Sequence, residues 1–141
     1  MKSLWGKLGF LFGIIGFIIL SYVEGWGADW KLFTKTSNGS YLYYDTESIT
    51  HLSRRVVRVW VKTIYSEKDL KWWRDGNDRL KTLGFTLYLE EHNCAVRTHR
   101  ILSLTHYSVD KGVLLSEGQP SEPGFIFPGT VAETIHKIVC K

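Results

Sequence analysis

From Arg54 to Tyr65 the chain alternates. Val57, Val59, Val61 and Tyr65 fall on one parity, and Arg54, Arg58, Trp60 and Lys62 on the other. A period of two is that of a strand with one buried and one wet face, so this stretch is predicted as a central strand. Upstream, Trp30 to Thr36 and Tyr41 to Asp45 are short strand-like runs separated by Ser37-Asn38-Gly39-Ser40, and the Asn-Gly centre predicts a hairpin. Thr46 to Ser53 reads as a polar connection. Downstream, Leu83 to Glu91 and Cys94 to Ser108 read as strands interrupted near Glu91-His92-Asn93, and Val109 to Gly112 turns the chain into a last strand, Val113 to Ser116. Between them Ser66 to Thr82 is charge-rich and holds Asp75-Gly76-Asn77-Asp78, which predicts a loop excursion.

The C-terminus changes period. Thr130 with Glu133 three residues on forms a capping box, and Val131, Ile135, Ile138 and Val139 then make one apolar stripe at helical spacing. A helix of about ten residues is not stable alone, so it must dock on the strands. The pattern predicts an α+β fold of about five or six antiparallel strands carrying one C-terminal helix.

The N-terminus is different again. Lys2 and Lys7 precede an uncharged apolar run from Leu8 to Val23, and Gly25-Trp26-Gly27 places small residues for cleavage before Ala28. Residues 1–27 are therefore expected to be a signal peptide and residues 28–141 the exported domain, in the periplasm or on the outer cell surface. The apolar run is shorter than the ~20 residues that span a bilayer, so no stable membrane span is expected after cleavage. Removing Lys2, Lys7 and Glu24 from 18 basic and 14 acidic residues leaves 16 against 13. That balance is too mild for a nucleic-acid partner. In an oxidising compartment Cys94 and Cys140, the two cysteines of the chain, are expected to form a disulfide. It would close a loop of about 47 residues and contribute about 4 kcal/mol on the chain-entropy account.

Candidate chemistry is sparse. His92-x-Cys94 on a strand and His136-x3-Cys140 on a helix could supply two histidines and two cysteines to a metal, provided both thiols stay free. The contrary reading makes the sulfurs a bridge and the histidines solvated, and it is preferred on compartment grounds; no cofactor is expected. Neither a nucleophile elbow nor a phosphate-binding glycine loop occurs, and His99 and His106 have no partner by spacing. Glu90 and Glu91 point to opposite faces of a strand and read as solvated rather than as an acid/base couple. Arg54, Arg58 and Lys62 around Trp60 form a basic stripe suited to an acidic protein or surface. Lys71-Trp72-Trp73-Arg74 is a second candidate, because paired tryptophans can anchor an interface.

Tyr43-Tyr44-Asp45 with Ser48-Ile49, Val59-Trp60-Val61-Lys62, Asn93-Cys94 followed by Arg97 and Arg100, Phe127-Pro128-Gly129-Thr130 and the terminal Val139-Cys140 occur in an order and spacing that resemble the surface-adhesin protein E family of Gram-negative bacteria. The resemblance spans about Trp30 to Cys140. It implies a small antiparallel sheet with a disulfide-tied C-terminal helix, a non-enzymatic adhesin or envelope-interaction role, and possible pairing of two copies. The alternative is a periplasmic small-ligand or metal binder using a cleft between helix and sheet. A deep apolar pocket beneath the helix would favour the binder, and a flat aromatic patch would favour protein contact.

Overall fold

A computed structural model describes residues 28–141; the expected signal peptide lies outside the described residues. The elements are β1 (Trp30–Lys35), β2 (Tyr41–Asp45), β3 (Thr50–His51), β4 (Val56–Ile64), α1 (Glu67–Gly76), β5 (Leu83–Asn93), β6 (Thr98–Ser108), β7 (Val113–Glu117), β8 (Gly124–Phe125) and α2 (Val131–Val139). The sheet is antiparallel in the order β1-β2-β4-β5-β6-β7, with β3 added on β4 and β8 on β6. The predicted α+β class therefore holds, with six strands on the main path and two two-residue strands beside it.

The β1–β2 hairpin forms where Asn-Gly predicts it, and Gly39 at φ 92° supplies the left-handed residue of the turn. Alternation along β4 is also as predicted: Val57, Val59 and Val61 are at most 1% exposed, while Trp60 is 37% exposed. The strand begins later than predicted, at Val56, so Arg54 sits in the preceding bend and is not part of the ladder. β4 pairs with β5 from Val56↔Asn93 to Ile64↔Phe85, and β5 pairs with β6 from Leu83↔Ser108 to Asn93↔Thr98.

Two local predictions are corrected. First, β5 runs through Glu91-His92-Asn93, and the chain turns at Cys94–Arg97 instead. There the Asn93 side chain accepts from the backbone N–H of Ala95 and Val96 at 3.1 and 3.3 Å, and Arg97 takes φ 54°. An asparagine can shape a turn in this way without glycine or proline. Second, Ser66 to Thr82 is no loose excursion. Ser66 caps α1 by accepting from the Asp69 N–H at 3.2 Å, and Leu70 packs with Leu80 and Leu83 under Tyr65, Trp73, Leu114 and Leu115. Ser40 ties the hairpin to this cap, donating to Asp69 and accepting from the Ser66 N–H at 2.9 Å.

At the C-terminus the cap forms as predicted, with Thr130 Oγ1 accepting from the Glu133 N–H at 3.2 Å. The docked stripe is shifted: Ile135, His136 and Val139 are buried, whereas Val131 is 37% exposed. Ile135 and Val139 pack with Tyr44, Val57, Val59 and Val61 into one core, bordered by the Cys94–Cys140 disulfide. α1 reaches the same side of the sheet, since Tyr65 Oη bonds Thr86 Oγ1 at 2.8 Å and Trp73 lies 5.5 Å from His106. Both helices thus cover one face and leave the other open. Gly84 instead allows β5 to approach the chain just after β6, because a Cβ there would meet the Val109 backbone at 3.0 Å.

Candidate functional site: the open face of the sheet

Strand register determines which side chains share the open face. Trp60 lies opposite Leu89, Lys62 opposite Leu87 and Tyr43, and Ile64 opposite Phe85 and Tyr41. Leu32 faces Tyr43 across β1–β2. Phe85 and Tyr107 stack at 4.8 Å with planes 4° apart. Trp60, Ile64, Tyr41 and Leu32 are 37, 40, 39 and 49% exposed. These side chains make a continuous aromatic and aliphatic surface with no covering element among the described residues, which is the flat patch that favours protein contact.

The charges on this face are largely engaged. Arg58 Nε donates to Glu91 Oε2 at 2.8 Å, and Arg100 donates to Glu91 Oε1 at 2.9–3.0 Å. Partial burial pushes the Glu91 carboxyl up, but the hydrogen bonds from both guanidiniums outweigh it and hold the group below its ordinary range. Lys62 Nζ sits 4.4 Å above the Trp30 ring and 5.6 Å from Tyr43, and partial desolvation lowers its pKa. The predicted basic stripe therefore reduces to Arg58 and Lys62 flanking Trp60. Arg54 lies off it, and the apolar neighbours Leu87, Leu89, Phe85 and Tyr107 emerge only from cross-strand register.

The paired tryptophans stay in edge contact, 5.0 Å between centroids, but differ in burial. Trp73 turns in against Tyr65 and His106, while Trp72 stays 70% exposed on α1. The four candidate metal donors do come together: His92 Nδ1 is 3.1 Å from His136 Nδ1, whose ring lies 3.6 Å from Cys140 Sγ. The two sulfurs are, however, joined to each other. Among the described residues no group of three or more His, Cys, Asp or Glu side chains is arranged to hold a metal.

The histidines are not solvated as expected. His92 is 0% and His136 6% exposed. Glu90 is buried too, accepting from His92 Nε2 at 2.8 Å, while Glu91 points to the open face. The two facing Nδ1 atoms of His92 and His136 share a single hydrogen bond, so one of the rings carries its proton on Nδ1. His99 stacks on His92 at 5.8 Å, and His106 Nδ1 bonds Thr86 Oγ1 at 2.7 Å. Only sequence-distant pairing, β5 with β6 and with α2, assembles this network.

Similarity to known proteins agrees with this architecture. Structures of Haemophilus influenzae protein E superpose on the chain. Crystal form II has a TM-score of 0.52 and 17% identity, covering 79% of this chain and 86% of that one. A second structure has a TM-score of 0.51 and 16% identity, covering 79% and 83%. Among curated proteins no sequence matches the chain. The sequence profile of the family described as surface-adhesin protein E matches residues 30–141, and the chain belongs to that family.

Proposed function

We propose that the chain is an exported, non-enzymatic adhesin-type binding protein, cut after residue 27 and working in the periplasm or at the cell surface, that docks a protein partner on the open face of its sheet. The observation that carries this reading is the uncovered surface around Trp60, in which aromatic and aliphatic groups remain partly in water beside Arg58 and Lys62. Family membership supports a surface-adhesin role. Aromatic anchors ringed by a few polar groups are the usual makings of a protein-binding hot spot. Because Arg58 is already paired to Glu91, desolvated apolar contact supplies most of the affinity and net charge little. The same face would serve for pairing with a second copy. A small-ligand site beneath α2 finds no support, since Ile135 and Val139 pack directly on Val57, Val59 and Val61.

The test uses the exported protein and immobilised extracellular-matrix proteins, with self-association followed by sedimentation. Trp60→Ala is expected to weaken partner binding or self-association by about tenfold, equivalent to about 1.4 kcal/mol, with an unchanged melting temperature and an unchanged salt slope. Equal binding by the variant would exclude this face.

A further inference from the structure

α1 presents two tryptophans to different surroundings. Trp73 is wedged between Tyr65 and His106, with centroids 6.1 and 5.5 Å away. Trp72 meets Trp73 at right angles, 5.0 Å between centroids and 86° between planes, and is otherwise 70% exposed. Trp72 is thus steadied by a ring that is itself held by the fold, and it projects from the helix as a fin. An indole left in water forgoes the stabilisation of burial, which a ligand could recover. Its fixed setting keeps the ordering cost of binding small.

A cleft lies on each side of the fin. One, of about 470 Å³, is lined by Asn38, Lys68, Asp69, Lys71, Trp72 and Asp75. The other, of about 350 Å³, is lined by Trp72, Trp73, Gly76, Asn77 and Leu80. Both fall within the ~300–1,000 Å³ range of small-ligand sites.

We propose that the two clefts form one binding site for a neutral oligosaccharide, with Trp72 as the stacking wall between neighbouring sugar rings. A pyranose offers a C–H face that packs on an indole and a rim of hydroxyls that need donors and acceptors. The larger cleft matches that division, with one aromatic wall and an otherwise polar lining, whereas an anchor for a protein side chain would call for an apolar lining. Polar capacity is free there. The Asn38 amide donates to Asp69 at 2.8 Å and leaves its carbonyl oxygen available. Lys68, Lys71 and Asp75 take part in none of the ion pairs among the described residues. Across the fin, Asn77 Oδ1 accepts from the Arg79 N–H at 2.9 Å and leaves the side-chain amide to donate. Two lysines against two aspartates give this lining no net charge, so it selects an uncharged chain over an acidic one. The site is lined by residues of α1, the segment just after it and the β1–β2 turn rather than by those of the open face, and does not depend on the protein-docking reading.

The exported protein is titrated with a panel of neutral tetrasaccharides, β-1,4-glucose, α-1,4-glucose, β-1,4-N-acetylglucosamine and α-1,6-mannose oligomers, by calorimetry and amide NMR. At least one is expected to bind in the micromolar to millimolar range. Trp72→Ala should weaken it by about tenfold or more, and Asp75→Ala or Asn77→Ala by a smaller factor, whereas Trp60→Ala should bind the sugar as wild type does. The site is wrong if no member of the panel binds, if Trp72→Ala binds equally well, or if shift changes centre on β4 and β5. A loss of protein partner on Trp72→Ala without any sugar binding would make the indole a protein anchor and overturn the proposal.

Discussion

At the level of single residues, burial explains much that spacing does not. Alternation along β4 predicts Val57, Val59 and Val61 inside and Arg58, Trp60 and Lys62 outside, because a strand has a fixed period and its hydrophobic parity is unbroken there. Arg54 belongs to the same parity, but parity means nothing once the ladder has ended. His136 is harder still. A histidine beside an apolar stripe gives no sign of being buried against His92, itself bonded to Glu90 and stacked on His99, until distant strands are aligned. Desolvation first, then the neighbouring His92, Arg97 and His99, lower its pKa, so folding favours the neutral ring. The unfolded chain binds that proton at about pH 6.5, so the stabilisation is complete above that value and is lost as pH falls below it. The melting temperature is expected to fall between about pH 7 and pH 5, above the range in which the carboxylates Glu91 and Glu133, both held low, lose their pairing. His136→Leu should reduce that slope, leaving the part that His106, also lowered by burial, contributes. An unchanged slope in the variant, or a wild type equally stable at both pH values, would refute this role.

For the elements, what was legible depended on whether local signals and tertiary contacts agreed. The β1–β2 hairpin and the Thr130 cap of α2 rest on sequence-local geometry, and both form where the residues predict. α1 was obscured because its end, Asp75-Gly76-Asn77-Asp78, reads as a turn and its exposed face is highly charged. The signal that finds it is Ser66 with Asp69 three residues on, a capping pair followed by Leu70 and Trp73 at helical spacing. The β5–β6 turn was misplaced by the polar Glu91-His92-Asn93 run, which stays extended because Glu90 and His92 are satisfied by each other. α2 is held by two devices, the disulfide to the β5–β6 turn and the packing of Ile135 and Val139. Cys140→Ser removes one of them, worth about 4 kcal/mol on the chain-entropy account. Hydrogen exchange is expected to accelerate across Val131–Val139 while β4 and β5, paired on both sides, stay protected. Uniform loss of protection in β4 would show that the helix and sheet unfold as one unit.

For the whole molecule, the α+β class followed from composition and period, and the arrangement of both helices on one side did not, because nothing in the sequence assigns α1 to a face. That arrangement has the larger functional consequence. With Ile135, Val139, Leu70 and Leu80 all directed to one side, the opposite face keeps Trp60, Leu87, Leu89, Phe85 and Tyr107 without cover among the described residues. No helix among the described residues is long and apolar enough to cross a membrane, and the family is one of surface adhesins. On the proposed function, this face carries the binding. The most direct measurement is the affinity of the exported protein and its Leu89→Arg variant for the same partner, with thermal melts alongside. Leu89 stands opposite Trp60 in the ladder, so an arginine there places an unpaired charge at the centre of the patch. A loss of about a hundredfold, or ~2.7 kcal/mol, at an unchanged melting temperature is the predicted result. Full affinity in a folded Leu89→Arg protein would exclude this face as the binding surface.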